Sequence, residues 1–214
     1  MKQTSCLTRP LALFLSLCLL LFISPSALHA TEQEAIFAGG CFWCLEHDLE
    51  SLPGVISVDS GYSGGDLSDP TYRNHKGHQE AVIVRFDAMK TSYENLLRSY
   101  WRNVDPLDGD GQFCDRGDSY RPVIFVRDEN QREYAIKSLE LAAKELGKPS
   151  RSIQVEIKRF KKFWFAEDYH QDFAEINPVK YNFYRFSCGR DNRLNELWGE
   201  RARTSKEWKV TERI

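Results

Sequence analysis

Hydrophobic positions along this chain fall into one long block and a series of shorter runs. The block, 11–23, is apolar everywhere except Ser16 and Cys18. The shorter runs either alternate or recur at three- and four-residue spacing, the marks of strands and of amphipathic helices. Residues 34–38, Glu-Ala-Ile-Phe-Ala, read as a short apolar strand. After Gly39-Gly40 a helix is expected, with Phe42, Leu45, Leu49 and Leu52 inward and Glu46, Asp48 and Glu50 on the other side, stopped by Pro53-Gly54. Strands are expected at 55–60 and 78–87, joined by a loop rich in Gly, Ser, Asp and Tyr at 61–77. Thr91-Ser92-Tyr93-Glu94 has the form of a capping box and opens a second helix. Its inward stripe is Tyr93, Leu96, Leu97, Tyr100, Trp101 and Val104. A polar loop over 105–121 leads to a strand at 123–126. Asp128 then caps a third helix, with Ala135, Leu139, Ala142, Ala143 and Leu146 inward and Gly147 and Pro149 at its close. Ile153, Val155 and Ile157 alternate as a further strand. From Phe163 the chain is aromatic and then irregular, with a last helix over 193–198.

This order predicts an α/β fold: a two-layer sandwich with a central mixed sheet packed against helices, long site-forming loops and an extended C-terminal segment. No internal repeat or low-complexity linker divides it, so 31–214 reads as a single domain. Two loops of about 17 residues are long for a compact domain, and such loops commonly carry function.

The block at 11–23 changes the picture of where this domain works. Lys2 and Arg9 precede it and Ser24-Pro25-Ser26-Ala27-Leu28-His29-Ala30 follows, the three-part layout of a secretory signal peptide. At about 13 residues the block falls short of the roughly 20 that span a bilayer. Cleavage is expected after Ala30, with an uncleaved anchor as the alternative, and the location is expected to be periplasmic or secreted. The chain carries 29 basic and 31 acidic side chains, and its leader holds only Lys2 and Arg9 of these. No basic face stands out, which argues against nucleic acid or an anionic membrane as partner. A monomer is expected.

Candidate chemistry centres on cysteine. Cys6 and Cys18 lie in the leader; Cys41, Cys44, Cys114 and Cys188 remain. In an oxidising compartment four cysteines commonly form two disulfides. A domain of this size does not need such staples, which leaves room for reactive thiols. Cys41 stands where a strand turns into a helix, and the helix N-terminus is expected to lower its pKa. Gly39 and Gly40 allow a sharp turn that leaves the sulfur reachable. Phe42 and Trp43 suggest a wall that grips a small apolar group. The plain alternative is a structural Cys41–Cys44 pair or half a zinc site. Zinc would need all four cysteines to converge, and their wide spacing argues against it. His47, His75, His78 and His170 are not spaced as a metal site either; His78 and His170 read as structural hydrogen-bonding residues, and no metal is expected. C-x-x-C also suits a thioredoxin-like disulfide oxidoreductase, the alternative enzyme reading, although no proline stands in an obvious position to face the motif.

Gly40-Cys41-Phe42-Trp43 followed by Glu46 resembles the active-site signature of the peptide methionine sulfoxide reductase A family. Leu52-Pro53-Gly54-Val55, Gly61-Tyr62-Ser63-Gly64-Gly65, Pro70-Thr71-Tyr72 and Gly77-His78-Gln79-Glu80-Ala81-Val82 are similar to it in the same order. So are Asp105-Pro106, Tyr120-Arg121, Ala166-Glu167-Asp168-Tyr169-His170-Gln171 and Asn177-Pro178. The resemblance covers about 36–178. It implies reduction of methionine S-sulfoxide, free or protein-bound, with no bound cofactor and an external thiol reductant such as a thioredoxin-like protein. It implies that Cys41 attacks the sulfoxide sulfur and that a protonated Glu80 donates to its oxygen. Tyr72 and Tyr120 would hydrogen-bond that oxygen, Phe42 and Trp43 would hold the methyl group, and Asp115 would act nearby through water.

Cys41 would then be a sulfenic acid that condenses with a second thiol, so a resting or once-turned-over enzyme is expected to carry Cys41 in a disulfide. Three resolving cysteines are open. Cys188 leads, because the family often keeps a recycling cysteine in its C-terminal segment. Cys44 follows, one helical turn from Cys41. Cys114 is third, beside Asp115 where the family usually has Asn. The tail after Pro178 departs from the glycine-rich tail of common members and reads as ordered around 181–185 and 190–198.

Overall fold

A computed structural model describes residues 31–209. The expected signal peptide lies outside these residues. Among the described residues no helix is long and apolar enough to cross a membrane.

The chain runs β1 (Glu32–Ala38), α1 (Phe42–Glu50), β2 (Val55–Ser63), β3 (Gln79–Asp87), α2 (Tyr93–Trp101), β4 (Gly111–Gln112), β5 (Asp115–Arg116), β6 (Val123–Val126) and α3 (Glu129–Glu145). It continues as β7 (Glu156–Arg159), β8 (Phe163–Phe165), α4 (Phe173–Ile176), α5 (Pro178–Ser187) and α6 (Arg190–Trp198). Six strands form one sheet in the order β7-β6-β1-β3-β2-β8. Neighbours are antiparallel except β6 and β7, which are parallel and joined across α3. The sheet is thus mixed, and the α/β sandwich is as predicted.

The period-two alternation of the strands explains the two cores. Ala35, Phe37, Val82, Val84, Phe86, Ile124 and Val126 face the helices and meet Leu45, Leu49, Leu96, Leu97, Tyr100 and Trp101. Ile36, Ala38, Ala81, Ile83, Val123 and Phe125 face the other way and are covered by Phe160 and Phe163. Aromatics buried in α2 need partners for their polar ends. The Tyr100 hydroxyl donates to the Ala38 carbonyl at 2.9 Å, and the Trp101 indole N–H donates to Ser138 Oγ at 2.8 Å.

Several elements differ from expectation, each for a physical reason. β2 runs on to Ser63 because Gly61, Tyr62 and Ser63 pair with β3 on one side and, on the other, with β8, a hundred residues downstream. A Cβ at Gly61 would lie 2.3 Å from the Trp164 carbonyl oxygen, so this pairing requires glycine. The cap of α2 is Ser92, which accepts from the Asn95 N–H at 3.2 Å, rather than Thr91. The second loop contains the β4–β5 hairpin, and β7 starts only at Glu156. Glu46 was placed on the polar face of α1, yet it is 2 % exposed. The aromatic stretch at Phe163–Phe165 is strand β8, from Phe173 the chain is helical rather than irregular, and α6 begins at Arg190. Pro178 sits in the first turn of α5, where its missing N–H costs nothing. The inward face of α5 carries Tyr181 and Arg185, so it lacks the aliphatic stripe that marks a helix in sequence.

Leu45 is wholly buried between α1 and the sheet. Leu45→Ala is expected to cost about 2–5 kcal/mol of folding free energy. A urea titration reads this directly, and an unchanged midpoint would contradict the packing described.

Candidate active site

The site is built from the turn between β1 and α1. Gly40 has φ +82°, and a Cβ there would lie 2.7 Å from Gln112 Cβ. Only glycine takes both the conformation and the space without strain. The turn sets Cys41 as the N-cap residue of α1, with its carbonyl accepting from the N–H groups of Cys44 and Leu45. Cys41, Phe42 and Trp43 then line a pocket of about 50 Å³ together with Tyr72, Glu80, Asp115, Tyr120 and Tyr184. Tyr72 comes from the first long loop, Glu80 from β3, Asp115 from β5, Tyr120 from the turn before β6, and Tyr184 from α5. So the fold brings Cys41, Phe42, Trp43, Tyr72, Glu80, Asp115 and Tyr120, the residues to which the resemblance assigns roles, to one pocket. The space suits the end of one side chain. A larger cavity, about 660 Å³, opens near Glu32, Tyr93 and Asp128, but it is lined by no cysteine. The chemistry therefore belongs to the smaller one.

Glu80 is 2 % exposed and accepts from the Phe42 N–H at 3.1 Å. Burial pushes its pKa up to about 8, with nearby Asp115 and Cys44 adding to the rise against that one hydrogen bond. It is therefore a neutral acid near pH 7. Burial also raises the pKa of Tyr72 and of Tyr120, so both phenols keep their protons. Glu167 anchors the loop that bears Tyr72: one oxygen accepts from the Tyr72 N–H at 2.9 Å, the other from the Tyr62 hydroxyl at 3.0 Å.

The aromatic wall is held from behind. The Trp43 indole N–H donates to His170 Nδ1 at 3.1 Å, and burial lowers the His170 pKa, which keeps that nitrogen an acceptor. Phe173 stacks on Trp43 with centroids 3.7 Å apart, and Phe42 leans on His170 and Tyr62. His78 Nδ1 accepts from Gly65 N–H, and its Nε2 reaches the Leu67 carbonyl. Both histidines thus make the structural hydrogen bonds expected of them.

The cysteines are arranged differently from expectation. Cys114 and Cys188 are joined in a disulfide, while Cys41 and Cys44 are free and buried. Cys41 is therefore in no disulfide here. The helix N-terminus does not lower its pKa either: burial, the hydrogen bond to Cys44 and the charges of Cys44 and Glu80 push it well above the usual thiol range. Its side chain makes no cap hydrogen bond to the free N–H groups of α1. In a dry pocket desolvation exceeds the helix dipole. Cys44 moves the other way, because it accepts from the Cys41 thiol and lies near the guanidiniums of Arg190 and Arg185. Arg185 is paired with Asp48 at 3.0 Å. Arg190 donates to the Asn103 carbonyl at 2.6 Å and to the Gly39 carbonyl at 3.4 Å, which braces the Gly39-Gly40 turn.

The pattern of residues missed Tyr184, Phe173, Arg185, Arg190 and the burial of Glu46. Glu46 accepts from Ser60 Oγ at 2.7 Å and from the Asp172 N–H at 2.8 Å, and burial raises its pKa to about 7. Its place in the Cys41 signature was the one available signal.

A free thiol in a pocket with a neutral buried acid, beside a second, more acidic thiol, is the arrangement of a cysteine-based oxidoreductase. The chain belongs to the peptide methionine sulfoxide reductase family, whose model matches residues 33–202. It is similar to "Peptide methionine sulfoxide reductase MsrA 2" of Caulobacter vibrioides, 48% identical over 89% of this chain and 98% of that protein. The protein of the same description from Rhizobium meliloti is 47% identical over 88% of this chain and 93% of its own length. The solved methionine sulfoxide reductase A of Corynebacterium diphtheriae superposes with a TM-score of 0.60 at 28% identity, covering 69% of this chain and 76% of that one. This membership sets aside the thioredoxin-like alternative.

The opposed shifts of the two free thiols are testable. Thiolate absorbance near 240 nm should rise in two steps as pH increases. Cys44→Ser should remove the lower step, and Cys41→Ser, which keeps a hydroxyl donor, should retain it. The reverse result would assign the thiolate to Cys41.

Proposed function

We propose that this protein reduces the S epimer of methionine sulfoxide, free or within polypeptides, with Cys41 as nucleophile. The observation that carries this reading is that a thiol and a neutral carboxyl, Cys41 and Glu80, line one aromatic pocket. A sulfoxide sulfur is a poor electrophile until its oxygen gains a proton. Glu80 supplies that proton as a general acid. Tyr72 and Tyr120 donate hydrogen bonds to the same oxygen, and the methyl group rests against Phe42 and Trp43. Only one epimer turns its oxygen to Glu80 and its methyl to the wall while its sulfur meets Cys41.

As the Cys41 sulfur bonds to the substrate sulfur, its proton passes to Cys44, whose lowered pKa favours the thiolate form that takes it up. The protonated oxygen then passes as hydroxyl from the substrate sulfur to the Cys41 sulfur while the bond between the two sulfurs breaks, so methionine leaves and Cys41 becomes a sulfenic acid. The substrate sulfur has gained two electrons and Cys41 has lost two. Cys44, one helical turn away, then displaces hydroxide from Cys41, which forms a disulfide and releases water. We assign the resolving role to Cys44 because Cys188 is bonded to Cys114. A dithiol donor of the thioredoxin type restores both thiols by exchange. No bound cofactor is needed for this cycle.

The layout of residues 1–30 supports a periplasmic or secreted enzyme, cleaved after Ala30, whose donor is a thioredoxin-like protein outside the cytosol. N-terminal sequencing of the protein from fractionated cells tests this; an intact Met1 in the cytosolic fraction would end it.

Cys41→Ser should fold and have no turnover. Glu80→Gln should slow the first step by roughly 10²–10⁴-fold. A raised carboxyl pKa means the acid form persists to about pH 8, so the wild-type single-turnover rate should fall as pH rises through that value. That limb should be missing in Glu80→Gln. Equal rates on both epimers, or an unaltered Glu80→Gln, would overturn the assignment.

Peptide mass spectrometry after one equivalent of substrate should find Cys41 joined to Cys44. Cys44→Ser should complete one turnover and leave a sulfenic acid that dimedone traps. A Cys41–Cys188 bridge in the wild type would pass the resolving role to Cys188.

A further inference from the structure

Tyr184 carries none of the roles that the resemblance implies, yet it lines the same pocket as Cys41 and Glu80. Its hydroxyl donates to the Asp115 carboxylate across a sequence separation of 69 residues. Its ring stands edge-on to Trp43, with centroids 6.1 Å apart and planes at 85°. It packs against the buried cluster of Cys41, Cys44 and Tyr181.

The chain holds it there by two neighbouring bonds. One helical turn on, the Cys188 N–H donates to the Tyr184 carbonyl at 2.9 Å. The Cys188 sulfur is bonded to Cys114, and Cys114 directly precedes Asp115. The disulfide thus clamps α5 to the β4–β5 hairpin at the point where Tyr184 and Asp115 meet.

We propose that Tyr184 is a further catalytic residue of this reductase: its hydroxyl stabilises negative charge on the Cys41 sulfur, and the Cys114–Cys188 disulfide holds it in position. The inference rests on the reading of Cys41 as nucleophile. The groups bearing on Cys41 come from every side of the pocket. Cys44 and Glu80 raise its pKa, as burial does, and Tyr184 is the group that lowers it. Tyr72, Tyr120 and Asp115 complete the lining. Burial and its acidic neighbours push the pKa of Tyr184 itself far above that of a free phenol, so it remains a donor. Its one proton is held by Asp115, and the Cys41 sulfur lines the same pocket. That proton turns to Cys41 as the sulfur gives up its own proton to Cys44. A hydrogen bond to a charged partner is stronger than one to a neutral partner, so this contact favours the charge-separated state.

Tyr184→Phe tests this, because it keeps the ring against Trp43 and removes only the hydroxyl. Single-turnover reduction of methionine S-sulfoxide should fall roughly ten- to hundredfold, the loss expected for one hydrogen bond to a charged group. KM should change little. The pH midpoint of Cys41 alkylation by iodoacetamide, followed by peptide mass spectrometry with Cys114–Cys188 intact, should move upward. A merely structural tyrosine would leave that midpoint alone. An unchanged rate and midpoint would overturn the proposal. Cys41→Ser, run alongside, separates the layers: an active Cys41→Ser would sink the mechanism itself, whereas an inactive one beside a normal Tyr184→Phe would sink only the role of Tyr184. Selective reduction of Cys114–Cys188 in the wild type gives a second reading that needs no variant to fold. It should raise the Cys41 midpoint in the same direction, and an unmoved midpoint would refute the clamp.

Discussion

The backbone N–H of Phe42 donates to the carboxyl of Glu80, and through this one hydrogen bond the start of α1 is tied to the start of β3. Its geometry is set by strand register. β1 and β3 pair so that Ala38 lies opposite Ala81, which puts the last residue of β1 beside the first residues of β3. The Gly39-Gly40 turn then lays Cys41 and Phe42 over Glu80. A slip of one residue in that pairing would send Glu80 to the opposite face of the sheet. The unbroken burial of Ala35 to Ala38 and of Ala81 to Val84 makes such a slip costly. The apolar strands that build the core therefore also aim the acid at the thiol.

That same burial acts on every titratable group in the pocket, and not to uniform benefit. It keeps Glu80 protonated, as the proposed proton donor needs to be, and it penalises the thiolate that the proposed reaction needs at Cys41. Both cannot be met by desolvation alone. The structure meets the second need with groups from the C-terminal helices. Arg185 and Arg190, carried by α5 and α6, favour a charge on Cys44, which can receive the Cys41 proton. Buried guanidiniums are themselves costly unless satisfied. Here Asp48 faces Arg185, and the Gly39 and Asn103 carbonyls face Arg190. The C-terminal helices are thus part of the site, and the Cys114–Cys188 bond fixes one of them to the hairpin that bears Asp115.

Much of the fold was readable from local pattern. The alternating and continuous runs at β1, β3 and β6, the stripe of α2 and the Asp128 cap of α3 are consequences of neighbouring residues, and neighbouring residues are what periodicity samples. What pattern missed depended on distant partners. β8 is three residues long and exists because Gly61, Tyr62 and Ser63 offer it an edge. Glu46 looked like a solvent-facing acid until Ser60 and Asp172 closed over it. In α5 the buried positions are held by Tyr181 and Arg185, which no hydrophobic stripe announces.

The sequence by itself determined the mixed α/β architecture, the turn that displays Cys41 and, through ordered motifs, the set of side chains that would meet around it. The first two follow from residue size, polarity and backbone freedom, properties that each residue carries with it, and the third from the family resemblance of those motifs. Tertiary structure alone decided which cysteines pair, which of the two free thiols is the more acidic, and that Tyr184 joins the pocket. Pairing depends on which sulfurs the fold brings within bonding distance. Ionisation depends on how much water and which charges surround a group. Neither is a property of a residue or of its neighbours in sequence, and both come into being only when the chain has closed around the site.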